Sequence, residues 1–258
     1  MLLDINVHLD YAVPADCDML VQLEVASLAD QHIVSSGLET SPVDQFGRIA
    51  GHDAIGERIW MQASQKITCE YTARVDVQRS HAELATAAQV PLHRVPADVV
   101  QYLLASRYCP SDEMEHFADS EIEGLTGGAR IAAMSRWVEE NFDYVPGSST
   151  SRTTAIDTFV HRQGVCRDFA HVLITLARAS AIPARIASVY APDVTPQDFH
   201  ATVQVWLDGG WHLVDPTGMA TPQEMAIIGV GRDAADVSFL TTYGLASMNA
   251  QSVAVTRR

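Results

Sequence analysis

Along the first eighty residues, apolar and polar positions alternate. Ile5, Val7 and Leu9 are separated by Asn6 and His8, and the run from Ile67 to Val77 alternates over its whole length. A period of two is the mark of a strand with one buried face. Leu20 to Val25 repeats the pattern less cleanly. These runs, broken by turn residues, predict a β-sandwich-like unit over residues 1–82. Cys69 shares the buried face with Ile67 and Tyr71, whereas Cys17, beside Pro14 and two aspartates, is expected in a turn. Residues 80–96 carry Pro91 and Pro96 and little periodicity, as a connection between units does.

The period then changes to that of a helix. Val99, Leu103 and Leu104 form one stripe within Pro96 to Ser106, and Ile131, Met134, Trp137, Val138 and Phe142 form another within Gly127 to Phe142. A short helix is expected from Thr154 to Gln163. The clearest one follows, from Val165 to Ser180, with Phe169, Val172, Leu173, Leu176 and Ala177 on one stripe. Pro183 stops it. Arg185 to Tyr190, His200 to Leu207 and Trp211 to Val214 then read as strands, the last two joined by a turn at Gly209-Gly210. Residues 83–258 are therefore expected to be one α+β unit, with a helix presenting its N-terminus to an antiparallel sheet.

The helix start is where chemistry concentrates. Cys166 occupies the first turn, where unpaired backbone N–H groups and the macrodipole favour negative charge, the charge of a thiolate. Gly164 leaves its approach open. His200 opens one strand of the hairpin and Asp215 ends the other. A thiol, an imidazole to take its proton and a carboxylate to orient the imidazole are the parts of a thiol acyl-transfer site. A two-residue turn at Gly209-Gly210 pairs Gln204 with Asp215, placing Asp215 on the face of His200 but four residues away. That is about 13 Å at 3.3 Å per residue, so contact requires a different turn or a bulge. An oxyanion needs donors about 3 Å away. The Cys166 N–H is one; Gln163 and Tyr144 are the candidates for the other, each with a structural role as the alternative. The loop Ala191 to Phe199 is expected at the rim of the cleft, and Trp206 and Trp211 as core or cleft wall. His161, Cys166, Asp168 and His171 lack the spacing of metal ligands, so no metal is expected. Asp168 and His171 read instead as a helix pair three apart, with Arg167 beside them.

Gly164-Val165-Cys166-Arg167-Asp168-Phe169-Ala170-His171, Ile182-Pro183-Ala184-Arg185, Asp198-Phe199-His200-Ala201 and Trp211-His212-Leu213-Val214-Asp215-Pro216-Thr217 occur in this order. They closely resemble the bacterial transglutaminase-like proteins assigned as cysteine proteases, a family similar in core to animal transglutaminases and peptide N-glycanases. Tyr102 to Cys109 and Gly231 to Val237 also resemble segments of that family. The resemblance implies a papain-like core with Cys166 as nucleophile, His200 as base and Asp215 as orienting acid. It implies attack on an amide or peptide bond, an acyl-enzyme passed to water or to an amine, and no cofactor. The chain departs from the family at Asp215-Pro216-Thr217-Gly218-Met219, where members often carry Asp-Ala-Thr-His-Asn. A peptide-binding or partner-binding protein that keeps the fold is the rival reading, and the intact Cys166, His200 and Asp215 argue against it.

Charge narrows the partners. Asp and Glu outnumber Lys and Arg by 32 to 17, a formal charge of −15, which disfavours nucleic acid and anionic membrane surfaces; the peptide or amide substrate is what the resemblance implies. Cys17, Cys69, Cys109 and Cys166 form no dense framework, as expected in a reducing compartment. The N-terminus lacks the basic start and long apolar core of a secretory signal, so a cytoplasmic location is expected.

Overall fold

A computed structural model describes residues 1–80 and 83–258. The alternating N-terminal runs form β1 (Leu2–Val21), β2 (Gln31–Thr40), β3 (Gln45–Ala50) and β4 (Glu57–Val77). Leu3, Ile5, Val7 and Leu9 of β1 and the odd-numbered residues from Ile67 to Val77 of β4 are buried, as the period-two pattern requires. β1 and β4 are long enough to act twice. Their antiparallel ladder shifts register between Val13 and Cys17, and β3 pairs one end of β4 while β2 pairs the other. Cys17 is therefore a buried strand residue beside this irregularity, not a turn residue, and its thiol points at the Asp18 carbonyl.

The second unit is built around one helix. Short α1 (Glu115–Glu121) is followed by α2 (Gly127–Asn141), β5 (Asp143–Tyr144), α3 (Ala155–His161), β6 (Gln163–Gly164) and α4 (Cys166–Ala179). Every residue of α4 from Asp168 to Arg178 is buried, so the helix has no solvent face. Ala170, Ile174 and Thr175 fill the positions between the apolar stripe, which lets the sheet cover one side and the other helices the rest. The expected helix over 96–106 is instead a single 3₁₀ turn at Val100–Leu103. The adjacent β-branched Val99 and Val100 disfavour a longer helix, and Arg178 Nη1 takes the Leu104 carbonyl at 3.1 Å. No described helix is long and apolar enough to cross a membrane.

After α4 come β7 (Ala184–Tyr190), β8 (His200–Leu207), β9 (Gly210–Val214) and β10 (Ala226–Gly231), which form an antiparallel sheet in the order β10-β7-β8-β9. The chain then returns to the first sheet: β11 (Leu240–Thr242) and β12 (Ser247–Arg257) both pair β1. The division into 1–82 and 83–258 therefore needs correcting at its C-terminal end, because Val253 and Val255 complete the N-terminal core. The boundary itself falls at His81 and Ala82, outside the described residues. Tyr190 ties the two sheets together. Its ring stacks on Tyr71 at 6.4 Å, and its hydroxyl donates to the Leu23 carbonyl at 2.8 Å.

This topology makes the last strand a stability element of the first sheet. A chain ending at Ala246 is expected to unfold at distinctly lower urea, because it exposes Val253 and Val255's partners and frees one edge of β1. An unchanged midpoint would mean that β12 is dispensable.

Candidate active site

The N-terminus of α4 is set by Asp168. Its Oδ2 accepts the Val165 N–H at 2.9 Å, and its Oδ1 accepts from the Arg167 guanidinium at 2.9 Å. A carboxylate in the first turn also complements the helix dipole. Asp168 therefore pairs with Arg167 rather than with His171, whose Nε2 accepts the Ala234 N–H at 3.1 Å. Gly164 serves Asp168 as well. A Cβ on Gly164 would lie 2.7 Å from the Asp168 Cβ, so the missing side chain makes room for the capping carboxylate. Cys166 emerges half-buried from this start, its Sγ 4.0 Å from the Phe199 carbonyl.

The hairpin turns one residue earlier than Gly209-Gly210. Leu207 pairs with Gly210, and Asp208 and Gly209 take φ of 52° and 77°, the left-handed pair that a type I′ turn requires. Asp-Gly is the stronger sequence signal for that turn, and Asp208 could have been read so. The register moves by two, which keeps Asp215 on the face of His200 while halving the gap along the strand. Thr202 Oγ1 donates to the Val214 carbonyl at 2.6 Å and holds the end of β9 in place.

His200 Nε2 and Asp215 Oδ2 are consequently 2.9 Å apart, with both side chains almost fully buried. Burial alone would push the His200 pKa down. The hydrogen bond to Asp215, and then the Cys166 thiol beside it, prevail and lift it to about 10. Burial raises the Asp215 carboxyl, but the His200 bond and Thr217 outweigh this and hold it below the usual range. Asp215 Oδ1 accepts both the Thr217 N–H at 3.0 Å and its hydroxyl at 2.8 Å, while Oδ2 also accepts the Ala220 N–H at 2.9 Å. The Thr217 contact is an Asx-turn that Asp-Pro-Thr announces. Gly218, where the family often has histidine, sits at φ 69°, a conformation that disfavours a side chain. His200 Nδ1 is buried and has no hydrogen-bond partner among the described residues, with the Cys166 thiol beside the ring.

Cys166 and His200 line a cavity of about 580 Å³, with Phe199, Val237 and Phe239 among its walls. Phe199 is the one residue of the 191–199 loop that lines it, and Trp206 and Trp211 do not. The two tryptophans pack against each other at 5.2 Å. Tyr144 lies beside Cys166, where burial, then the thiol, raise its hydroxyl. Gln163 is exposed. Of the residues once grouped as possible ligands, His161 lies exposed at the end of α3, apart from the buried Asp168 and His171.

Residues 118–216, which contain Cys166, His200 and Asp215, match the family model of the transglutaminase-like superfamily. The crystal structure of a proposed cysteine protease from Cytophaga hutchinsonii superposes over 99% of this chain and 90% of its own, with a TM-score of 0.93 at 30% identity. The chain belongs to the transglutaminase-like superfamily. An uncharacterised Mycobacterium leprae protein is 34% identical over 117 residues, 42% of each chain. The protein-glutamine gamma-glutamyltransferase of Pseudomonas aeruginosa is 29% identical over 107 residues, 36% of this chain and 16% of that protein. The chain thus spans less than half the length of these curated relatives. As a transglutaminase-like protein it has the mixed helix-and-sheet fold of the group, with a cleft at the start of its central helix.

The charge on His200 can be tested through stability. A folded pKa raised from 6.5 to about 10 contributes stability that is complete below pH 6.5 and lost as pH rises toward 10. The urea midpoint is expected to fall across that window in the parent protein and to fall less in Asp215→Asn. Equal slopes would remove Asp215 as the group that holds the imidazolium.

Proposed function

We propose that this protein cleaves an amide or peptide bond by thiol-dependent acyl transfer, with Cys166 as nucleophile, His200 as general base and acid, and Asp215 as the orienting carboxylate. One observation carries the reading. A thiol at a helix start and a buried imidazole bonded to a carboxylate at 2.9 Å open onto the same cavity.

In the proposed reaction, the proton shared by Cys166 and His200 sits on the imidazolium at Nδ1, and the sulfur it leaves behind bonds to the substrate carbonyl carbon as the carbonyl π pair moves to oxygen. The backbone N–H of Cys166, at the helix start, is the proposed donor to the resulting oxyanion. The Tyr144 hydroxyl is the better placed of the two further donors considered. His200 then returns the proton to the leaving amine, the C–N bond breaks, and a thioester remains on Cys166. Water, deprotonated by His200, adds to the thioester and regenerates the thiol. Asp215 keeps its charge throughout and fixes the imidazole by Nε2. Water is the proposed acceptor because the cavity is open to solvent. An amine in place of water gives transfer, the reaction in the name of the Pseudomonas relative. Four unpaired cysteines support a reducing compartment such as the cytoplasm.

Iodoacetamide at mildly acidic pH should label Cys166 alone. Cys17, Cys69 and Cys109 are buried, and burial pushes the Cys69 and Cys109 thiols up to about 11 and about 12. Cys166→Ala should lose both labelling and turnover of a peptide library while keeping its far-ultraviolet circular dichroism. Equal labelling of the other three cysteines would overturn the assignment. Mass spectra of products with and without added methylamine separate hydrolysis from transfer.

A further inference from the structure

The cavity reverses the charge of the molecule that holds it. The chain carries −15 overall, yet among the described residues no aspartate or glutamate lines the cavity, while two arginines, Arg107 and Arg167, do. Their states differ. Arg167 is spent on the buried Asp168, the Ser149 hydroxyl and the Thr150 carbonyl. Arg107 is exposed and has no ion-pair partner among the described residues. Its guanidinium lies 5.0 Å from the centroid of the Tyr108 ring, which orients it without neutralising it.

The turn that presents Arg107 is fixed from behind. Ser106 and Cys109 exchange backbone hydrogen bonds at 3.1 Å each. The Tyr108 N–H donates to the buried Asp233 carboxylate at 3.0 Å, and the Tyr108 ring stacks on buried His171 at 5.1 Å, 10° from parallel. Buried Arg178 donates to the Ser106 hydroxyl at 3.0 Å and to the Leu104 carbonyl at 3.1 Å. A flexible surface arginine needs none of this support. Preorganisation of this kind lowers the cost of ordering a side chain on a ligand. Also lining the cavity, Phe199 and Phe239 stack 4.4 Å apart and 4° from parallel, giving an apolar patch.

We propose that Arg107 is a specificity-determining residue that binds a carboxylate of the substrate, so that the cleft takes peptides with an apolar residue next to an acidic one. The proposal rests on the acyl-transfer reading of Cys166. A single uncompensated guanidinium matches a monoanionic carboxylate, which it meets with two parallel N–H donors. The strongly negative surface elsewhere disfavours acidic ligands, so a local reversal of sign confines them to this cleft.

Three thiol-directed probes test it: bromoacetyl-Phe-Glu-amide, bromoacetyl-Phe-Gln-amide, and bromoacetyl-Phe-Gln with a free terminal carboxylate. The rate of Cys166 alkylation by each, read by mass spectrometry, is divided by the iodoacetamide rate of the same protein. In the parent protein one or both acidic probes should react about fivefold faster than the neutral amide, the size expected of a partly exposed ion pair. Which of the two gains tells a side-chain carboxylate from a terminal one. The preference should vanish in Arg107→Gln, reverse in Arg107→Glu and shrink in 0.5 M salt, the last because exposed charges are screened at about that ionic strength. Equal rates for all three probes, or a preference that survives Arg107→Gln, would overturn the proposal. Failure of iodoacetamide to react at Cys166 would instead strike the acyl-transfer reading on which it rests.

Discussion

The hydrogen bond between His200 and Asp215 is the interaction from which the rest of the site follows. Burying an imidazolium and a carboxylate together costs desolvation on both sides, which their mutual attraction offsets only if the remaining polar atoms are also satisfied. Asp215 meets that condition through Thr217 and Ala220, which supply three donors besides His200. His200 leaves one ring nitrogen unpaired inside the protein. A buried nitrogen without a partner is unfavourable for folding, and in the proposed reaction it is the atom that exchanges a proton with Cys166.

That bond depends in turn on a backbone detail far from it. The Asp208-Gly209 turn sets the β8–β9 register, and a register change of one residue would send Asp215 to the opposite face of the sheet. The bond from Thr202 to Val214 reinforces the register close to the site. The thiol is positioned by an independent device, the Asp168 carboxylate at the start of α4, which needs the space that Gly164 leaves. The site is thus the meeting of two locally determined geometries. The all-round burial of α4 keeps them in one frame, since a helix enclosed on every side cannot shift without opening the core.

Periodicity was a good guide where one face of an element is buried and the other is not. Ile5, Val7 and Leu9, the 67–77 run and the helix at Gly127 all sit where alternation or helical spacing puts them. It failed where long-range partners decide. The 96–106 stripe forms no α-helix because Arg178 claims a carbonyl there, and Cys17 is a strand residue because β4 pairs with it through an irregular register. Nothing local in Ser247 to Arg257 says that it pairs with β1 rather than with a nearer strand. For the candidate site, the residue types and the shared face of His200 and Asp215 were legible, while their separation was not. The separation depends on which dipeptide turns, and Asp208-Gly209, both at positive φ, turns in place of Gly209-Gly210. The second segment missed was Asp-Pro-Thr, whose threonine anchors the carboxylate.

The two outlying segments that resemble the family, Tyr102 to Cys109 and Gly231 to Val237, turn out to be held against each other. Asp233 accepts the Tyr108 N–H, and the guanidinium of Arg178, deep in the core, donates to Leu104, Ser106, Ala184 and Arg232. Burial lowers the pKa of that arginine, yet four hydrogen bonds to three segments keep its charge solvated by carbonyl and hydroxyl oxygens. The effect is mechanical. One residue from the end of the central helix fixes the turn carrying Arg107, the start of β7 and the loop carrying Asp233, so the cleft wall around Arg107 is tied to the same helix that carries Cys166. Both walls thus hang from one enclosed element, and their spacing is set by the packing around that helix.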